Sequence, residues 1–205
     1  MTDYQIPTEI KVQMLMQQYL DRAVGYYIFA RKAVSLGVMP VGGTLFHIAV
    51  EMILHCGLSA KYKQEELKAK FPKHELPFMW SEFKKVYPSS ELLKYDDFVN
   101  HHRQWKDLRY PNNVGNSVIY FGRIKPDSEV MKQNMKNFKN DIQIEIDLEG
   151  MDEFMSYVIH TIGINPDNIK IYLQTNKELI GFYLTENKFP LFDASLVTKS
   201  SSFFI

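Results

Sequence analysis

The stretch Leu45-Phe46-His47-Ile48-Ala49-Val50-Glu51-Met52-Ile53-Leu54-His55-Cys56-Gly57-Leu58 constrains this chain most, because it is apolar on almost every side of a helix. Only His47, Glu51 and His55 interrupt it. A helix apolar all round must be covered from several directions, so it is expected at the centre of a helical bundle. Residues 9–36 supply a first neighbour. Val12, Leu15, Tyr19, Ala23, Tyr26, Tyr27 and Ala30 recur there at helical spacing, with Gln13, Gln17, Asp21 and Arg31 off the stripe. Gly37 ends that helix, and Met39-Pro40-Val41-Gly42-Gly43 reads as a tight connection, with Thr44 as the N-cap of the second helix.

Residues 61–70 read as a charged, solvated stretch closed by Phe71-Pro72, and residues 74–86 as a third helix with Pro77 in its first turn. Pro88-Ser89-Ser90 precedes a fourth helix whose face carries Leu92, Tyr95, Val99, His102, Trp105 and Arg109, and which closes at Tyr110-Pro111-Asn112. The pattern then turns to β-type runs at 117–121 and 142–146, expected to pair as a small insertion around a polar helical excursion at 127–140. Such a ribbon needs support from the bundle. Residues 148–162 return to helical periodicity, with Glu149, Asp152 and Glu153 in the first turns complementing the helix dipole. Asn165-Pro166-Asp167 starts another helix, 177–186 reads as a last one, and 189–205 as extended chain. The expected architecture is therefore mainly α. It has an up-and-down bundle over 1–162, a two-stranded β insertion near 117–146, and a small helical extension over 163–205 packed on the bundle.

The chain carries 24 Lys plus Arg and 24 Asp plus Glu, so no global field draws it to nucleic acid or an anionic membrane, and such binding needs a local patch. The single cysteine, Cys56, sits in an apolar run and reads as a buried thiol in a reducing compartment. The N-terminal residues lack the basic start and apolar core of a signal peptide. No uninterrupted apolar window has the length of a bilayer span. A cytoplasmic protein without membrane contact is the expectation.

Three short motifs occur in order: Ala49-Val50-Glu51 on the second helix, His74-Glu75-Leu76 at the start of the third, and Arg109-Tyr110-Pro111 at the end of the fourth. Together they resemble the HEPN superfamily of small helical bundles, over roughly residues 10–162. The resemblance implies an up-and-down bundle and a homodimer whose fourth helices meet to assemble a composite cleft. Many members are metal-independent ribonucleases of toxin, defence and RNA-processing systems, with an Arg followed a short distance later by a His. This chain departs from that pattern. At the corresponding distances Arg103 meets Leu108, Arg109 and Tyr110, and Arg109 meets Val114, Gly115 and Asn116. An amide at Asn116 cannot exchange a proton near neutral pH as imidazole does. His101 and His102 precede Arg103 rather than follow it.

Each candidate constellation leaves two readings open. His47, Glu51 and His55 rise about 6 Å per step along one side of the second helix, placing them either for a metal or with Glu51 as a buried acid satisfied by Arg109 or a Tyr hydroxyl. Arg109 with Asn112 and Asn113 suits a phosphate, or Arg109 serves the carbonyls at its helix end. Lys132, Lys136 and Lys139 with Arg123 and Lys125 make an RNA-binding stripe or a solvated face. Gly42-Gly43 lacks the Lys-Ser or Lys-Thr of a phosphate loop. The leading expectation is a regulatory protein that binds a nucleotide, an RNA segment or a protein partner encoded nearby. It would use Arg103, Arg109, Tyr110, Asn112, His102 and Glu51, and no catalytic group, metal or cofactor. A HEPN-type ribonuclease and a structural dimerisation module are the alternatives.

Overall fold

The computed structural model describes residues 8–72, 75–103, 105, 118–122, 143–174, 177–184 and 187–190. Helix α1 (Thr8–Ser35) and helix α2 (Met39–Leu58) make the most extensive helix pair. They run antiparallel: the Tyr27 ring lies 6.2 Å from Phe46, and Tyr19 stacks on His55 at 5.1 Å. The inner faces interdigitate through Leu20, Val24 and Ile28 of α1 and Val50, Ile53 and Leu54 of α2, all buried.

The α1–α2 connection is tighter than its sequence suggests. Gly37 takes a left-handed φ of 76°, which suits a residue without Cβ, and α2 begins two residues later with Val38 as its N-cap. Thr44 is therefore inside the helix and not its cap. Pro40 sits in the first turn, where its missing N–H has no helical partner to lose. Gly42 and Gly43 continue the helix because neighbours press against them: a Cβ on Gly42 would stand 2.7 Å from the Val34 side chain, and one on Gly43 1.7 Å from the Trp105 ring.

Pro40–Leu58 is long and apolar enough to cross a membrane by length and composition, contrary to expectation, yet 72% of its most apolar window is buried inside the protein. It is covered by helix α4 (Leu76–Val86) and helix α6 (Leu148–Ile162) as well as α1. The stretch read as solvated contains helix α3 (Gln64–Lys70), anchored by fully buried Leu67 and followed by buried Phe71. Ser89 Oγ accepts from the Glu91 amide and opens a 3-10 turn (Ser90–Tyr95), so helix α5 (Asp96–His102) is shorter than the continuous fourth helix expected. Leu92 and Tyr95 of the 3-10 turn, Val99 and His102 of α5, and Trp105 beyond it are buried, as the expected face requires.

Phe154 of α6 knits these elements together: Trp80 of α4, Tyr95 and Phe98 all bring rings within 5.6 Å of it. Strands β1 (Val118–Gly122) and β2 (Gln143–Asp147) pair in parallel, Val118 opposite Gln143, which requires a crossover connection rather than a hairpin. Helix α7 (Pro166–Gln174) and helix α8 (Lys177–Leu184) pack back on α1, with Tyr183 edge-on to Tyr27.

Candidate functional site

The polar residues of α2 recur every fourth position, so one side of the most buried helix carries His47, Glu51 and His55, each no more than 5% exposed. His47 Nδ1 lies 2.9 Å from the main-chain carbonyl of His102 and donates to it, tying α2 to the end of α5. His55 is held by rings, flat on Tyr19 and edge-on to Phe71. Burial and the Glu51 carboxylate raise the Tyr19 phenol pKa, against the lowering effect of Arg22. Among the described residues no group of three or more His, Cys, Asp and Glu side chains is arranged to hold a metal ion. The ladder is thus a set of internal ties on which the α5 end rests.

That end is built by α5 itself. Asp96 and Asp97 occupy its first turn, where carboxylates complement the dipole. Asp96 also accepts from Trp80 Nε1 at 2.7 Å and Lys84 Nζ at 2.6 Å. Burial pushes the Asp96 carboxyl pKa up, but these two donors outweigh it and leave the group below its ordinary value. One helix length on, His102 is 2% exposed, packs 4.1 Å from the Phe98 ring and donates Nδ1–H to the Phe98 carbonyl at 2.8 Å. Burial drives its pKa down to about 3, so the ring is neutral at physiological pH. Arg103 follows immediately and is exposed. Trp105 is fully buried on Gly43, its Nε1 without a hydrogen-bond acceptor among the described residues.

Of the expected site residues, the structure therefore places Arg103 at the surface and Glu51 and His102 inside, on two different helices. Arg109, Tyr110 and Asn112 lie outside the described residues, as do His74, Asn113, Asn116, the 127–140 excursion and the lysine stripe with Arg123 and Lys125. Cys56 is buried, donates to the Met16 carbonyl at 3.3 Å, and has its thiol pKa pushed up to about 12 by burial and by Asp21, which suits packing rather than nucleophilic work.

Sequence reasoning missed the most charged interior cluster. Arg31, off the α1 stripe by its spacing, is 3% exposed and forms an ion pair with Asp152, which is 2% exposed and by its position in the first turns of α6 reads as a complement to the helix dipole. Tyr27 donates its hydroxyl to the same carboxylate and accepts from Asn187 Nδ2 at 3.3 Å. Arg31 Nε reaches the Phe182 carbonyl at 3.4 Å. The cluster thereby joins α1, α6 and α8, a structural clamp between elements more than a hundred residues apart in sequence. The only signal in the sequence was an Arg one helical turn beyond the buried Tyr27, which many solvated faces also carry.

The molecule so defined is a mainly α-helical protein in which the exposed Arg103 stands beside a dry, neutral histidine. No protein-family model, no curated protein and no solved structure matches the chain.

Proposed function

We propose that this is a HEPN-like regulatory bundle that binds the phosphates of RNA or a nucleotide at the end of α5, without cleaving them. Arg103 supplies the cation, Arg109, Tyr110 and Asn112 extend the site along the following chain, and Glu51 and His102 support it from within. The observation that carries this reading is that Arg103 is exposed and has no acidic partner among the described residues, so its guanidinium donors are available to an anion. A ribonuclease would also need a group that takes and returns a proton near neutral pH. With its pKa near 3, His102 is neutral there, is not present as the imidazolium acid, and is a weak base.

The test is fluorescence polarisation of the full chain with a labelled single-stranded RNA of mixed sequence, across a salt series. Affinity should fall with salt, and Arg103→Ala should weaken it and reduce the salt slope by about one phosphate contact. The labelled RNA should stay intact. Unaltered affinity in Arg103→Ala would remove the proposed site, and metal-free cleavage abolished by that change would replace it with the ribonuclease alternative.

A structural dimerisation module is the second reading, favoured by one specific feature. Tyr26 and Phe29 of α1, with Leu36, Val38 and Val41 at the α1–α2 junction, are all between 37% and 64% exposed. Apolar groups clustered in this way mark contact surfaces. Sedimentation across the micromolar range tests it, with Phe29→Lys expected to convert a dimer to monomer.

A further inference from the structure

Cys56, in the last turn of α2, donates to the carbonyl of Met16, so the residues of α1 before Met16 extend past the end of α2. They face the segment leading into α3 across an open groove with a cavity volume of about 510 Å³. The groove is remote from Arg103: Trp105 rests on Gly43 near the start of α2, whereas the groove begins beyond its end, on a helix of 20 residues, or about 30 Å. Its volume falls within the range of about 300–1,000 Å³ typical of small-molecule sites.

The walls are chemically unequal. Val12 and Leu15 of α1, both half-buried, form an apolar floor opposite Tyr62. The Tyr62 hydroxyl donates to Glu82 Oε2 at 3.0 Å, which holds its ring in place. Lys61 stands 5.3 Å from that ring and adds positive potential, while Lys70, 5.0 Å from it, is paired with Glu82 at 3.1 Å. Lys11 on one wall and Lys63 on the other are both exposed, and neither ammonium forms an ion pair among the described residues; the Glu66 carboxylate beside Lys63 is held instead by the Lys63 main-chain N–H at 2.7 Å. Glu65 is the one acidic group among the groove's lining residues. Two available ammonium groups, an apolar floor and a fixed aromatic ring form a surface of mixed chemistry.

We propose that this groove binds a small aromatic anion of about mononucleotide size. The ligand's ring lies between Val12, Leu15 and Tyr62, its acidic group between Lys11 and Lys63, and a hydrogen-bond donor of the ligand meets Glu65. The shared chemistry is an aromatic body carrying one acidic group, which a nucleoside phosphate or an aromatic carboxylate would supply. The site is independent of the phosphate site proposed at Arg103.

The test uses the full chain and the dye anilinonaphthalene sulfonate as probe, with adenosine monophosphate and indole acetate as competitors. Dye emission should rise and saturate, and at least one competitor should displace it. Displacement by adenosine monophosphate alone assigns the phosphate source, and by indole acetate alone the carboxylate source. The double substitution Lys11→Glu, Lys63→Glu should weaken binding by about tenfold or more, the loss expected for a charge-assisted contact, while the circular dichroism melt stays where it is because both side chains are exposed. Arg103→Ala should leave dye binding unchanged, which separates this result from the RNA experiment. Absence of saturable binding, insensitivity to the charge reversal, or displacement by neither competitor overturns the proposal.

Discussion

Asp152 is the residue whose loss should be felt most sharply. It is 2% exposed and receives both the Arg31 guanidinium and the Tyr27 hydroxyl. Asp152→Asn keeps the shape but leaves Arg31 buried without its counter-charge. A buried pair broken from one side costs about 3–5 kcal/mol, so urea melts should show a loss of that size, and one below about 1 kcal/mol would place water or another carboxylate at Arg31. His102 makes a second, pH-dependent prediction. Its folded pKa, about 3, lies well below the ordinary value of 6.5, so the unfolded chain takes up the proton first. Its contribution is present above pH 6.5 and is lost as pH falls toward 3, by up to about 1.4 kcal/mol per pH unit. His102→Gln keeps a donor for the Phe98 carbonyl without titrating, and should lose less stability than the parent between pH 7 and pH 5. Equal losses would mean that the ring is hydrated.

At the level of elements, glycine position decides how helices approach. Gly43 and Gly181 both lie inside helices, and a Gly-to-Ala change there gains about 1 kcal/mol of helix propensity when nothing interferes. For Gly181 in α8 no atom stands within 4 Å of the added Cβ, so Gly181→Ala should raise the melting temperature modestly. For Gly43 the added Cβ would overlap the Trp105 ring, so α2 and the α5 end must separate. Overpacking of this kind costs about 1–3 kcal/mol, and differential scanning calorimetry on the pair of variants should give shifts of opposite sign. The two glycines of the α1–α2 junction also explain a misreading: Gly42-Gly43 after a proline looks like a turn, yet both serve close helix packing, and only Gly37 serves the turn.

For the molecule as a whole, stability concentrates on α2. Ile53 is fully buried, on the helix that α1, α4 and α6 all cover. Ile53→Ala should cost roughly 2–5 kcal/mol through lost transfer energy and an unfilled cavity, read from the denaturation midpoint at unchanged m-value. A loss below about 1 kcal/mol would mean that the surrounding helices collapse into the space.

Helix period, punctuation and an all-round apolar segment are local properties, and they were legible directly. They identified α1, α2, α4, α6 and the two short C-terminal helices, the central place of α2, and the buried face from Leu92 to Trp105. The 20-residue separation of the β-type runs likewise allows the parallel pairing, though periodicity says nothing about strand direction. What the sequence by itself could not determine is which polar residues lie inside. Arg31 and Asp152 each look like surface charge within their own helix, and only the packing of α1 against α6 brings them together, where mutual neutralisation makes burial tolerable. His102 was legible as a helix-face residue but not as a neutral one, because its pKa is set by burial and by the neighbouring His101 and His47, against the opposing hydrogen bond to the Phe98 carbonyl, and burial is a product of the packing. The groove between Lys11 and Lys63 was illegible for the same reason: its walls come from segments some fifty residues apart, and only the overhang of α1 beyond α2 makes them face each other.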